Sequence, residues 1–592
     1  MTARGWRRLL SAGAALSLLA LTAQSPAPDD VLLRAMGDEL ARSMQQLRLD
    51  TLPRPYFIAY RVDEVHALRV AATRGSLVHS GERTYRRLIV ELRVGDYAFD
   101  NTNFFGGPGG GMFAFGMRGF RGSDLPIDDN YREVRRQLWL ATDAAYKQAV
   151  QQLTQKRAAV QGQAHADSLA DFTRESVVTV TDTMAAHVWS RATAESLARD
   201  LSAVLRSAPD IYASGVECTA EVGVTRYVNS EGTTFTRSAP TVSVQVHAET
   251  QAGDGTPLAD ALVLYGGAPA DLPAPPALAD SVRELAARLE RLRQASPGDT
   301  YSGPILFEGQ AVAEVFNQVF AATLIGTRRL LSDNPMLDAM LARAEDPTRV
   351  QLGGRALPRF LSVTDNPTVT TFGNVFLGGY RVDDDGVAAR ENRVVDHGVL
   401  KTLLTTRVPV RGIPHSSGNR LGNAAVVTNL FVTADSGLSD QELRRRLLQL
   451  ATGRGSAYGI VVRRVANPAI ASFDNPLALM AAMRGSAGGS PTLAATAAWK
   501  VFPDGHEELI RNAEVSGINA AAFKDIVAVS KARAAYTIPF AGRRMSFGPG
   551  FGGGYAASYV VPSGVLFEDG SVSRAAGNAP RLPVVSPPWL GH

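Results

Sequence analysis

Apolar residues recur along this chain with two spacings, and the places where one gives way to the other mark out its elements. Residues 30–47 carry a helical pattern, 56–69 and 83–94 alternate like half-buried strands, and 131–160 form a long helical pattern with Leu138, Ala141, Ala145 and Ala149 along one side. A second helix is expected over 192–205, and strand patterns return at 211–228 and 241–250. Strands and helices grouped in blocks with hairpin-like neighbours favour an α+β fold with an N-terminal α/β-layer domain over a βαβ succession. Farther on, Val312, Val315, Phe316, Val319 and Phe320 fall at the i, i+3, i+4, i+7, i+8 spacing of a buried helix, with Gln310, Glu314, Asn317 and Gln318 on its other side. The rest of the second half is strand-rich apart from a helix at 439–452, so a curved, mostly antiparallel sheet closing around a central helix is expected there.

Pro and Ala concentrate in APADLPAPPALA (268–279), followed by a helical pattern over 280–294. This composition makes 268–295 the expected spacer between an N-terminal domain at 30–267 and a C-terminal domain at 296–592. A length of 592 residues is too great for one core, which agrees with two domains. Hydrophobic residues at 45% and charged residues at 20% fit a globular chain and exclude a disordered one. The 61 basic and 57 acidic side chains leave only +4, and no Lys/Arg run exceeds three, so a nucleic-acid partner is not expected.

The first residues carry an export pattern. Arg4, Arg7 and Arg8 precede an apolar run over 9–23 that ends in Leu21-Thr22-Ala23, so residues 1–23 are expected to be a signal peptide and the mature chain periplasmic or extracellular. The run is short for a bilayer span, no cysteine follows it, and the single Cys218 has no disulfide partner within the chain. No membrane span is expected in the mature form.

Four segments carry a resemblance: GPILFEGQAVAEVF from Gly303, YRVDDDGVAARENRVVDHGVLKTLLTTR from Tyr380, HSSGNRLGNAAVVTNLFV from His415, and VFPDGHEELIRNAEVSGINAAAFKDIVAVS from Val501. Together they resemble the TldD/PmbA (TldD/TldE) family, peptidase U62, over most of the second half. The resemblance implies zinc hydrolysis in active members, whose HExxxH helix supplies two histidines and a glutamate and whose later cysteine completes the ligands. Laid on this chain, the histidine positions fall on Gly309 and Glu314 and the glutamate position on Gln310. None of the three can perform its role, so the chain is closest to the branch that lacks the ligands, and no zinc or other cofactor is expected.

The expectation that follows is a metal-free subunit that pairs with an active, ligand-bearing member, as a homodimer or heterodimer, around an extended peptide. Glu308, Gln310, Glu314, Asn317, Asn419 and Asn429 are the candidate peptide-binding residues. A self-sufficient metallopeptidase with rearranged ligands such as Glu308, Glu314 and His397, or a non-enzymatic binding and assembly module, are the alternatives. Other tempting groups have plainer readings. His506-Glu507-Glu508 lacks a histidine at the zincin spacing and reads as a turn, Asp383-Asp384-Asp385 lacks the spaced ligands of a calcium loop and reads as a hairpin turn, and His397, His415 and Asp396 lack a further donor. The glycine- and aromatic-rich stretches 104–122 and 546–555 match no phosphate loop and read as flaps or surface loops.

Overall fold

The computed structural model describes residues 30–49, 51–105, 123–161, 169–183, 185–332, 350–471, 492–541, 555–574 and 585. The expected signal peptide and nearly all of both glycine-rich stretches lie outside these residues. Helix α1 (Val31–Gln46) starts where Asp30 accepts the Leu33 N–H at 2.9 Å, satisfying one of the donors left free in a first turn. Strands β1 (Pro55–Thr73) and β2 (Ser76–Val94) form a long hairpin turned by Arg74 and Gly75, both at positive φ. It continues past the expected strand ends because its outer part still offers an alternating apolar face. β3 (Ser123–Leu125) pairs with β2, β4 (Thr179–Asp182) with β6 (Thr234–Gln251), β5 (Ala213–Asn229) joins β1 to β6, and β7 (Pro257–Gly266) lies beside β6.

The alternation of side chains across this seven-stranded sheet assigns its faces. On one face Ile58, Tyr60, Val62, Leu88 and Val94 pack beneath α1 and α2 (Tyr131–Gln161). Farther along it, Leu68, Val70, Val216, Val244 and Val246 pack beneath α3 (Arg191–Val204) and α4 (Pro275–Gln294). On the opposite face, Phe57, Ala59, Tyr227 and Phe235 meet Phe172 and Val382, which belongs to the second half. Helix α4 begins inside the Pro/Ala run rather than after it, since prolines at the first helical positions cost no hydrogen bond. Its Leu278, Val282, Leu285, Leu289 and Leu292 are buried against the N-terminal sheet, so much of the expected spacer is packed core.

The second half holds two larger sheets. In the first, β8 (Tyr301–Glu308) lies between β13 (Gly459–Val465) and β20 (Gly564–Arg574), and the sheet continues through β16 (Ala513–Ser516), β14 (Leu493–Val501) and β15 (Glu507–Arg511), with β17 (Ile526–Val529) beside β20. The second runs from β11 (Val399–Leu400) through β10 (Asn392–Asp396), β9 (Leu361–Asp365), β12 (Asn429–Ala434) and β19 (Ala556–Pro562) to β18 (Arg533–Pro539). Both sheets are mostly antiparallel, as expected, with parallel pairs where β8 meets β13 and β12 meets β19. The central helix α5 (Gln310–Val315) packs on β8 and β13 of one sheet and on β19 of the other. Its winding loosens to a π turn at Phe316–Phe320 and tightens to a 3₁₀ turn at Ala321–Leu324. The predicted stripe of Val312, Val315, Phe316, Val319 and Phe320 is buried, with Phe316 and Phe320 against Phe523 at ring distances of 5.2 and 4.8 Å. Among the described residues no helix is long and apolar enough to cross a membrane.

Candidate functional site

The strand–helix junction at Gly309 puts the motif positions in their setting. Gly309 has φ 61° and ψ −129°, a backbone conformation that a β-carbon opposes, and its N–H donates to the Ser563 carbonyl at 2.8 Å. The Tyr536 hydroxyl stands 3.6 Å from where that β-carbon would lie. The place of the first expected histidine is thus a turn suited to glycine, not merely a position without a donor.

Glu314, one turn later, is fully buried and surrounded by carboxamides. Its carboxylate accepts from Gln318 Nε2 at 2.9 Å, from Asn467 Nδ2 at 3.1 and 3.2 Å, and from Asn317 Nδ2 and Gln310 Nε2 at 3.3 Å each. The same amides reach the backbone around them. Gln310 both donates to the Val465 carbonyl and accepts from its N–H, Gln318 donates to Ala466, and Asn317 and Asn467 both donate to the Pro539 carbonyl. Asn317 Oδ1 in turn accepts from the Tyr559 hydroxyl and the Ala541 N–H. Burial pushes the Glu314 carboxyl up to about 7, against the pull of these donors. The polar face of α5 is therefore tied to the ends of β13 and β18 by its own side chains. Asn467 and Tyr559 were not singled out from the sequence; the Asn-Pro pair at 467–468 signals only a turn.

The other candidate residues lie outside this network. Glu308, at the end of β8, pairs with Arg444 at 2.9 Å and Arg463 at 3.0 Å, and Glu507 closes the group against the same two arginines. His506 is exposed on the β14–β15 turn, as read from the sequence. Asn419 donates to Asp365 Oδ2 at 2.6 Å and accepts from Asn392, and burial pushes Asp365 up to about 7. Asn429 donates to the carbonyls of Val369 and Gly378, and among the described residues no donor reaches its buried Oδ1. Glu314, Asn317, Asn419 and Asn429, expected as peptide contacts, are buried residues whose hydrogen bonds run to groups of their own chain, Glu314 as acceptor and the three asparagines through their amide donors. Gln310 makes such bonds too, but like Glu308 it is only partly buried.

No rearranged zinc site forms from Glu308, Glu314 and His397. Among the described residues no group of three or more His, Cys, Asp or Glu side chains is placed to hold a metal ion. His397 is exposed beside Asp396 at 3.1 Å, while His415 faces Glu175 at 3.5 Å. Cys218 is buried in the N-terminal sheet, where burial raises its thiol to about 12 and disfavours the thiolate a metal would need. The donor set at the motif does not fit zinc: a glycine, a committed carboxamide and a carboxylate already saturated by N–H groups.

Asp383, Asp384 and Asp385 do form a turn, with the Gly386 N–H donating to the Asp383 carbonyl, and Asp383 and Asp385 are buried. Asp384 bridges Arg61 and Arg237 of the N-terminal sheet at 2.7 Å each, and these cations hold its carboxyl at about 2 although burial opposes this. Asp385 pairs with Arg420, which also reaches Glu91 at 3.1 Å, and Arg407 pairs with Glu231 at 2.8 Å. Burial and then the neighbouring Asp385 charge raise Asp383 to about 8. These groups join the two halves.

Comparison with known proteins bears on the whole arrangement. Residues 300–457 match the PmbA/TldA metallopeptidase C-terminal domain. No curated protein sequence matches the chain. Among solved structures it is similar to a proposed modulator of a DNA gyrase from Thermotoga maritima, at TM-score 0.57 and 14% identity over 91% of this chain and 99% of that one. It is also similar to TldE from Thermococcus kodakarensis, at TM-score 0.54 and 12% identity over 91% and 100% of the two chains. A proposed modulator of DNA gyrase from Bacteroides thetaiotaomicron matches at TM-score 0.53 and 11% identity over 92% and 98%. At these identities the structures speak for the fold.

Proposed function

From a chain that belongs to the TldD/PmbA family, and is in that sense peptidase-related, we propose that evolution has kept the peptide-handling frame and replaced the zinc centre with a structural one. The chain is a metal-free member that acts with a ligand-bearing member of the family, the two enclosing an extended peptide, after export across a membrane. The observation that carries this reading is the Glu314 network. Four carboxamides occupy the hydrogen-bonding capacity of the one carboxylate on the motif helix, and zinc would have to displace them to bind.

A neighbouring feature supports the peptide. β18 ends its sheet, hydrogen-bonded among the described strands to β19 alone, and carries Tyr536 beside Gly309. A terminal strand offers main-chain donors and acceptors that an extended peptide satisfies without regard to its sequence. The test is reconstitution. The full chain dialysed against zinc should retain well under one ion per molecule by elemental analysis and cleave no flexible peptide alone. Mixed with an HExxxH-bearing family member from the same source, it should form a complex that does. About one tightly held zinc per chain, lost with Glu314→Ala, would overturn the metal-free reading; failure to associate with any such member would overturn the pairing.

A further inference from the structure

A second strand edge, far from the motif, carries a recognition pattern of its own. β2 pairs with β1 along its whole length, but among the described residues its other edge pairs only at Arg86, Arg87 and Leu88, with β3. Among the described residues no strand covers the outer edge over 76–85, a strip of about 33 Å by the rise of a strand. Val78 within it is 71% exposed. The strip is held firmly from one face, where Ser80 donates to Glu195 at 2.6 Å and Arg191 of α3 pairs with Glu82 at 3.1 Å. On the other face Arg83 and Arg87 flank one ring, their guanidiniums 5.1 and 5.9 Å from the Tyr85 centroid.

The short stretch already paired shows what this face accepts. β3 runs antiparallel with Asp124 directly opposite Arg87, so an acidic residue stands across from an arginine of the same face. The chain then turns away, with Arg86 donating to the Pro126 carbonyl at 3.2 Å, and leaves the edge beside Tyr85 and Arg83. We propose that the outer edge of β2 over residues 76–85 receives an extended acidic peptide segment, paired through its main chain and read by Arg83 with the Tyr85–Arg87 stack. Resting on the reading that this protein handles peptides, it names the class of peptide and a site separate from the motif helix. Pairing to the edge uses alternating main-chain amides that a nucleic acid lacks.

The test uses the full chain and dye-labelled eight-residue peptides alternating valine with glutamate or with lysine, read by fluorescence anisotropy at low salt. The glutamate peptide should bind at least about tenfold more tightly than the lysine peptide. Arg83→Glu should reverse that order, Arg83→Lys should preserve it, and methylation of alternate amides in the glutamate peptide should abolish binding. Arg83 is exposed, so thermal melting of each variant should match the wild type. No preference between the peptides, or a preference untouched by Arg83→Glu, overturns the proposal and leaves the charges as protection of an open edge; tighter, Arg83-dependent binding of single-stranded DNA overturns it in favour of a nucleic acid. Zinc content and pairing with a family member do not involve Arg83, so this proposal and the reading of the motif helix fail separately.

Discussion

At the scale of single residues, the motif positions have been rebuilt rather than only emptied. A histidine at Gly309 would occupy a backbone conformation costing of the order of 1–3 kcal/mol. The triple change Gly309→His, Gln310→Glu, Glu314→His should therefore lower the melting temperature and give no chelator-sensitive peptide turnover, as checked by calorimetry and a fluorogenic peptide assay. Glu314 supplies a second prediction. Its carboxyl lies near 7 in the folded chain against an ordinary value of 4.5, so between those pH values the folded state binds more protons than the unfolded one. Stability from this group is full below about pH 4.5 and falls by roughly 3 kcal/mol as pH rises through 7. Denaturant titrations at pH 5 and pH 8 should show the wild type losing about 2–3 kcal/mol more than Glu314→Gln between the two. The sequence shows that donors are missing at 309, 310 and 314. It does not show what took their place, because Asn467, Pro539 and Tyr559 lie 153, 222 and 242 residues from the helix residues they meet.

At the scale of elements, legibility followed locality. The helices at 31–46, 191–204 and 440–453 were readable because each begins at a side-chain cap, Asp30, Ser190 and Ser439, and carries one apolar stripe. The central helix was readable as a buried stripe, but not its passage from α to π to 3₁₀ winding, which answers to packing between two sheets. Nor could apolar runs such as those at 459–465 and 429–434 reveal that they pair in parallel, since strand direction depends on connections far away in the chain. Asn467 is the point at which these elements meet, joining α5 to the Pro539 carbonyl at the end of β18. Asn467→Ala should leave that carbonyl and Glu314 short of donors and cost about 1–3 kcal/mol, whereas Phe523→Ala, which empties the space between Phe316, Phe320 and Phe567, should cost about 3–5 kcal/mol. Chemical denaturation ranks the two.

At the scale of the whole molecule, the two halves are joined by buried charge, a feature hidden in a sequence that reads DDDG as a hairpin turn. The turn is real, yet its carboxylates point into a seam whose arginines come from residues 61 and 237 on one side and 407 and 420 on the other. Adjacent carboxyls in that seam respond oppositely to pH. Asp383, raised to about 8 by burial and by Asp385, holds its proton near neutrality, whereas Asp384, kept at about 2 by Arg61 and Arg237, is ionised. For Asp384 the folded value lies below the ordinary 3.8, so its contribution is present above about pH 4 and is lost as pH falls through 2. Asp384→Asn removes that charge while leaving two buried guanidiniums facing a neutral amide, and breaking a buried pair in this way costs about 3–5 kcal/mol. At pH 7 the variant should unfold at lower denaturant than wild type, and proteolysis should cut it between the halves sooner. At pH 2 the two proteins should converge, and a gap that persists there would show that Asp384 holds the seam by shape rather than by charge.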